Sequence, residues 1–146
     1  MKKTWIRICL AVLLTAILSG CTGKASSLES QLWSMSFALT EETGKIVACS
    51  PQLAESYPQA SIRTITCQAK DGQWQISEEN SQKFQGSYEL MEQTAEGSLI
   101  YTFHFSDGRS GTAVYSLTDH RSGETIPTLV LSLPQSYTLY FHGSAL

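Results

Sequence analysis

Basic charge is scarce in this chain. Lys and Arg number 10 against 13 Asp and Glu, a formal charge of −3. Three of the ten, Lys2, Lys3 and Arg7, stand at the extreme N-terminus, so from Cys21 onward seven basic residues face thirteen acidic ones. A domain of that sign lacks the basic patch that phosphates demand, which excludes nucleic acid as a partner. An anionic leaflet would repel it as well. Metal-ligand spacing is missing too. The three histidines, His104, His120 and His142, are far apart in sequence, and no CxxC occurs, so no zinc-type motif can be drawn and no metal is expected. No phosphate-binding glycine loop is present, so no cofactor is expected. Gly108-Arg109-Ser110-Gly111 superficially suggests a serine nucleophile loop. It fails G-x-S-x-G, and it joins two expected strands rather than a strand and a helix. Glu41, Glu42, Glu78, Glu79, Glu92 and Glu96 all fall in expected turns, where a solvated carboxylate is the ordinary finding, so no acid/base pair stands out. Catalytic residues are therefore not expected, and the protein is read as not an enzyme. Long helical periodicity, internal repeats and low-complexity segments are absent.

Apolar continuity exists in one place only. Ile8 to Leu18 (ICLAVLLTAIL) is interrupted only by Thr15, follows a basic start, and ends at Leu18-Ser19-Gly20-Cys21. A basic n-region, a short apolar h-region and a small-residue cleavage site are the parts of a secretory signal. The run is shorter than the roughly 20 apolar residues a spanning helix needs. Leu18-Ser19-Gly20-Cys21 resembles the lipobox of bacterial lipoproteins. The resemblance implies removal of residues 1–20 and a lipid on Cys21, which in that family includes at least a diacylglyceryl group. It places the protein in a bacterial cell envelope, on the extracytoplasmic face of the cytoplasmic membrane, or on the outer membrane if the cell has two. Residues 21–27 then form the lipidated cysteine and a short tether, and residues 28–146 a single domain, large enough to bury its own core.

Of the four cysteines, Cys9 lies in the discarded run and Cys21 carries the lipid. Cys49 and Cys67 remain, in a compartment where disulfides persist. We expect them to be bridged, with a metal pair or a reactive thiol as the alternatives.

The domain reads as strand and turn. Ser26 with Glu29 fits a capping box, a short helical turn. Trp33, Met35, Phe37 and Leu39 alternate with Ser34, Ser36 and Ala38, which is a half-buried strand. Ile46–Cys49 is a second strand. Ser50-Pro51 starts a helix that Pro58 keeps to a turn or two. Ser61 to Ala69 is strand, and Asp71-Gly72 marks a hairpin. Alternation then recurs around Trp74, Phe84–Leu90, Leu99–Phe105, Ala113–Leu117, Leu129–Leu133 and Tyr137–Phe141. Eight or nine short strands joined by short loops predict an all-β, antiparallel up-and-down meander, closed as a small barrel or folded as a β-sandwich. A short N-terminal turn, a Trp-bearing first strand and a run of hairpins resemble the lipocalin architecture, although no Gly-x-Trp accompanies Trp33.

The aromatics Trp33, Trp74, Phe84, Tyr88, Tyr101, Phe103, Tyr115 and Phe141 occupy inward-compatible positions. An eight-stranded barrel is either filled by its side chains or holds one small ligand. The first expectation is a non-catalytic, membrane-anchored β domain that binds a protein or an envelope component. The alternative is a lipocalin-like carrier of a small apolar ligand. No ligand-binding residues can be named from the sequence.

Overall fold

A computed structural model describes residues 26–133 and 136–146; the lipobox and Cys21 lie outside them. The elements are α1 (Ser26–Glu29), β1 (Gln31–Thr40), β2 (Ile46–Cys49), a single 3₁₀ turn (Pro51–Leu53), β3 (Ser61–Ile62), β4 (Ile65–Lys70), β5 (Gln73–Glu78), β6 (Ser81–Gln93), β7 (Leu99–Phe105), β8 (Ser110–Asp119), β9 (Thr125–Ser132) and β10 (Tyr137–Ala145).

From β4 to β10 each strand pairs antiparallel with the next, β4 pairs with β1, and β10 returns to β1. Eight strands thus close an antiparallel barrel, and the sandwich alternative falls. β2 and β3 stand outside the barrel count. β2 continues along the same edge of β1 beyond β4, and β3 lies parallel to β2. The single strand expected over Ser61 to Ala69 is split for this reason: its first residues pair with β2 and its last with β1 and β5.

Local chemistry accounts for most of the path. On β7, Leu99, Tyr101, Phe103 and Phe105 are buried while Ile100, Thr102 and His104 are half-buried, the period-2 signature of a wall with one wet face. Asp71 (φ 52°) and Gly72 (φ 75°) put two consecutive positive φ angles between β4 and β5, as a type I′ hairpin requires. Glu79 (φ 49°) and Asn80 (φ 66°) repeat that geometry between β5 and β6. Ser50 makes no side-chain cap bond, and the expected helix after it is only one 3₁₀ turn.

The expectation of an unbroken β period through Leu39 is corrected. The register of β1 against β10 slips between Met35 and Phe37, so Ser36 is an extra residue in a bulge, which reverses the faces beyond it. Ala38, not Phe37, is buried. Phe37 stands on the outside, stacked on Tyr140 at 4.6 Å and tilted against Tyr57 at 6.3 Å.

Inside the barrel, Trp33, Trp74, Tyr101, Phe103 and Phe141 are fully buried, together with Leu129 and Leu131. Trp74 stacks on Phe103 at 5.1 Å and Trp33 meets Tyr115 edge-on at 5.9 Å, arrangements that suit ring quadrupoles. Phe84 departs from the expected inward set. It sits at the rim, 40 % exposed, between Phe105 and the guanidinium of Arg109. One end of the barrel is plugged by α1: Leu28 is fully buried, and its carbonyl accepts the Trp33 indole N–H at 3.0 Å.

The expected Cys49–Cys67 disulfide is not formed; both cysteines are free and buried. The register gives the reason. Cys67 lies opposite Trp33 and joins the interior core, whereas Cys49 lies opposite Phe37, beyond the bulge. Directly paired residues share a face, so the two thiols point to opposite sides of the wall. Their partners are also four residues apart on β1, roughly 13 Å in an extended strand, where a bridge needs Cα atoms within about 7 Å. Burial pushes the Cys67 thiol up to about 12, which suppresses the reactive thiolate. Both thiols should be silent to a thiol reagent in the folded protein and titrate only after denaturation. Reductant should leave the melting temperature unchanged; a fall on reduction would mean that the bond forms.

Candidate functional site

The wall's outer face is built from the residues that alternate with the core. One cross-strand row runs Thr128, His142, Ser34, Thr66, Ser77 over β9, β10, β1, β4 and β5. Four of its five members are hydroxyls. The β1 bulge adds another, because Ser36 Oγ comes 2.9 Å from Nδ1 of His142.

A gap opens in the wall here. β4 covers the edge of β1 at Trp33 and Ser34, and β2 covers it from Phe37 onward. Between the two, the bulge is tied to the end of β2 through the N–H of Ser50, the next residue, which donates to Ser36 O at 2.8 Å. The result is a cleft of about 170 Å³. Its apolar lining comes from Pro51, which is exposed, and from Met35 and Ile65, which belong to or pack against the interior core and reach the cleft only where the wall parts. Around the rim stand Ser34, Thr64, Thr66, Arg63 and His142, with the buried Ser50 at the side. Arg63 follows β3 directly. Its backbone N–H donates to Cys49 O at 2.9 Å and its Nη1 to Glu78 Oε1 at 2.9 Å. Lys83 Nζ lies 3.8 Å from the other Glu78 oxygen.

A second constellation lies on β6, β7 and β8. His104 Nε2 is 3.2 Å from Glu89 Oε1, and its Nδ1 is 3.1 Å from Ser110 Oγ. The serine of the Gly108–Gly111 loop thus does meet a histidine and a carboxylate, a contact sequence reading missed. The three stand in water on the barrel's outside, with the His104 and Glu89 side chains 45 % and 62 % exposed. Cross-strand pairing explains the line, and an acyl-transfer site needs in addition a sequestered place for the reacting group. His104 and His142 are not brought together; β8 and β9 separate their strands in the wall. His120 sits in the β8–β9 turn beside Ser122. Among the described residues, no three His, Cys, Asp or Glu side chains gather in a way that could hold a metal ion.

At the plugged end, Tyr88 donates a short hydrogen bond to Glu29, and the Gly72 N–H adds a second at 3.3 Å. The Tyr88 bond is the main reason the Glu29 carboxyl is held below the usual carboxylate range. Burial pushes Tyr101 up to about 12, and its buried hydroxyl meets no hydrogen-bond partner among the described residues. These contacts latch α1 onto the barrel. A shallower opening of about 430 Å³ lies over β4–β6, where Gln68, Gln75 and Gln85 form a row across the strands.

The chain matches no family model, no curated protein and no solved structure.

Ser34, Ser36, Thr66 and Arg63 were not legible as site residues. The available signal was the run of small hydroxyls on the non-core face of β1. What joins them to His142 is the pairing of the first barrel strand with the last, and the bulge between them.

Proposed function

We propose that this chain is a lipoprotein of the bacterial cell envelope, anchored through lipid on Cys21, whose barrel binds a protein or another envelope component by its outer wall, without catalysis. The observation that carries this reading is the filled interior: large aromatic and aliphatic side chains pack the space where a carrier would hold its cargo. A binding surface then has to be external. The anchor is supported by Leu18-Ser19-Gly20-Cys21 and the apolar run before it. Among the described residues no helix is long and apolar enough to cross a membrane. From Cys21 to the start of α1 is five residue steps, at most roughly 18 Å of chain, so the barrel would stay close to the bilayer. The acidic balance of the domain leaves attachment to the lipid rather than to surface charge.

Mass spectrometry of the full chain, expressed in a bacterium and purified from its membranes, tests both halves of this reading. The denatured mass should begin at Cys21 and carry a diacylglyceryl group. The native mass should show no further small molecule. A chain that retains residues 1–20, or lacks lipid, defeats the anchor; a discrete mass lost on denaturation moves the function to a carrier.

A further inference from the structure

The cleft where β2 and β4 part along β1 has the composition of a receptor for one small chemical group. At about 170 Å³ it falls below the roughly 300–1,000 Å³ of sites that enclose a whole drug-sized ligand. It suits a chain end. Its apolar lining is small, and the rest is rich in donors: four hydroxyls, the Gln52 amide, an imidazole and a guanidinium. Among the described residues that line it there is no carboxylate, and Arg63 is the lining's one permanent charge. Arg63 carries five N–H donors in a planar fork that matches a carboxylate, and Nη1 is the atom that meets Glu78. Lys83 lies against the other oxygen of that same Glu78, so Glu78 is shared between two cations and does not neutralise both. The Glu79 N–H donates to Thr64 O at 3.1 Å at the cleft edge, and its side chain is not part of the lining. The position of Arg63 is built: β3 is two residues long, pairs Ser61 with Ala48 and Ile62 with Cys49, and delivers the next residue to the mouth of the gap.

We propose that this cleft binds a carboxylate carried next to a small apolar group, the chemistry of a peptide's carboxylate end or of a small amino acid. Arg63 and the hydroxyls of Ser34 and Thr66 hold the carboxylate, and Pro51, with the part of Ile65 that the gap leaves half-buried, meets the apolar group. A charge-assisted contact of this kind is worth about twice a neutral one, so the neutral amide of the same ligand binds more weakly. The proposal rests on the reading that the barrel binds by its outer wall, and it names the class of partner.

The test is a chemical-shift titration of the ¹⁵N-labelled full chain in detergent micelles with three probes: N-acetylalanine, N-acetylalaninamide and alanine. N-acetylalanine should shift the amides of Ser34, Ser36, Ser50 and Thr66 saturably, with a Kd on the order of 1 mM for so few contacts. N-acetylalaninamide should bind at least about tenfold more weakly, and Arg63→Gln should cost N-acetylalanine a similar factor. Alanine binding as well as N-acetylalanine identifies a free amino acid as the source; binding confined to the acylated probe identifies a chain end. Arg63 is half exposed, so its variant should fold, and unchanged resonances of His104 and Ser110 on the far wall check this. Equal binding of acid and amide, or no saturable shift at these residues, overturns the carboxylate site and leaves the outer-wall reading standing. Shifts concentrated at Tyr101, Phe103 and Leu131 would instead overturn that reading, since the ligand would then be inside the barrel.

Discussion

Trp33→Ala should destabilise the barrel by about 4 kcal/mol, the middle of the range for deleting a fully buried large aromatic. Three losses coincide at this residue. The indole is completely buried, its edge-on contact with Tyr115 at 5.9 Å disappears, and the Leu28 carbonyl loses the N–H that holds it at 3.0 Å. The last loss loosens α1, so the plugged end should open as well. For a domain of this size, 4 kcal/mol corresponds to a fall in melting temperature of roughly 15 °C. Urea unfolding measures it directly: the midpoint should drop with the slope unchanged. Trp33→Phe should fall in between: it keeps one six-membered ring but loses the N–H together with the rest of the indole, so about 2–3 kcal/mol should be lost from the cavity and the missing hydrogen bond. A Trp33→Ala midpoint close to that of the parent would mean that the interior is not packed around this ring, and the filled-barrel argument would go with it.

Gly86→Ala should also be severely damaging, although it adds a single methyl group. A Cβ at this position would lie 1.7 Å from His104 O, 2.8 Å from its carbonyl carbon and 3.1 Å from Phe105 Cα. All three are backbone atoms of β7, so no side chain can swing away; β6 and β7 must separate, between Trp74 on one side and Phe105 on the other. A cost above about 3 kcal/mol follows from breaking the ladder or straining it. Gly72→Ala is the control. Gly72 has φ +75° but open space around it, so only the left-handed backbone penalty of about 1–2 kcal/mol applies. If Gly86→Ala has the milder midpoint of the two, the close approach of β6 to β7 is not real.

Much of the architecture was legible because period-2 alternation is local. Leu99, Tyr101, Phe103 and Phe105 announce their face without knowledge of any other strand, and Asp71-Gly72 announces its turn. The expected meander needed only these signals. The errors fall where a residue's environment depends on a distant partner. Phe37 and Ala38 exchange faces because Ser36 is extra against β10, about a hundred residues later in the chain. Cys49 and Cys67 were paired by elimination, an argument that counts thiols and knows nothing of which side of a wall each occupies. The candidate cleft was invisible for the same reason: Ser34, the Arg63–Thr66 stretch and His142 come from three segments remote in sequence.

Sequence by itself carries the lipobox resemblance on which the proposed anchor rests, and it determined the acidic balance, the all-β class and most of the strand faces. These depend on composition and on neighbours a few residues apart. Tertiary structure decided that the meander closes through β1 and β10, that the aromatics fill the barrel, that the two cysteines stay apart, and that a donor-lined gap opens where β2 and β4 share one edge of β1. Each of these depends on register between strands remote in sequence. One added residue in a bulge reverses every face beyond it, and no local pattern records where that residue falls.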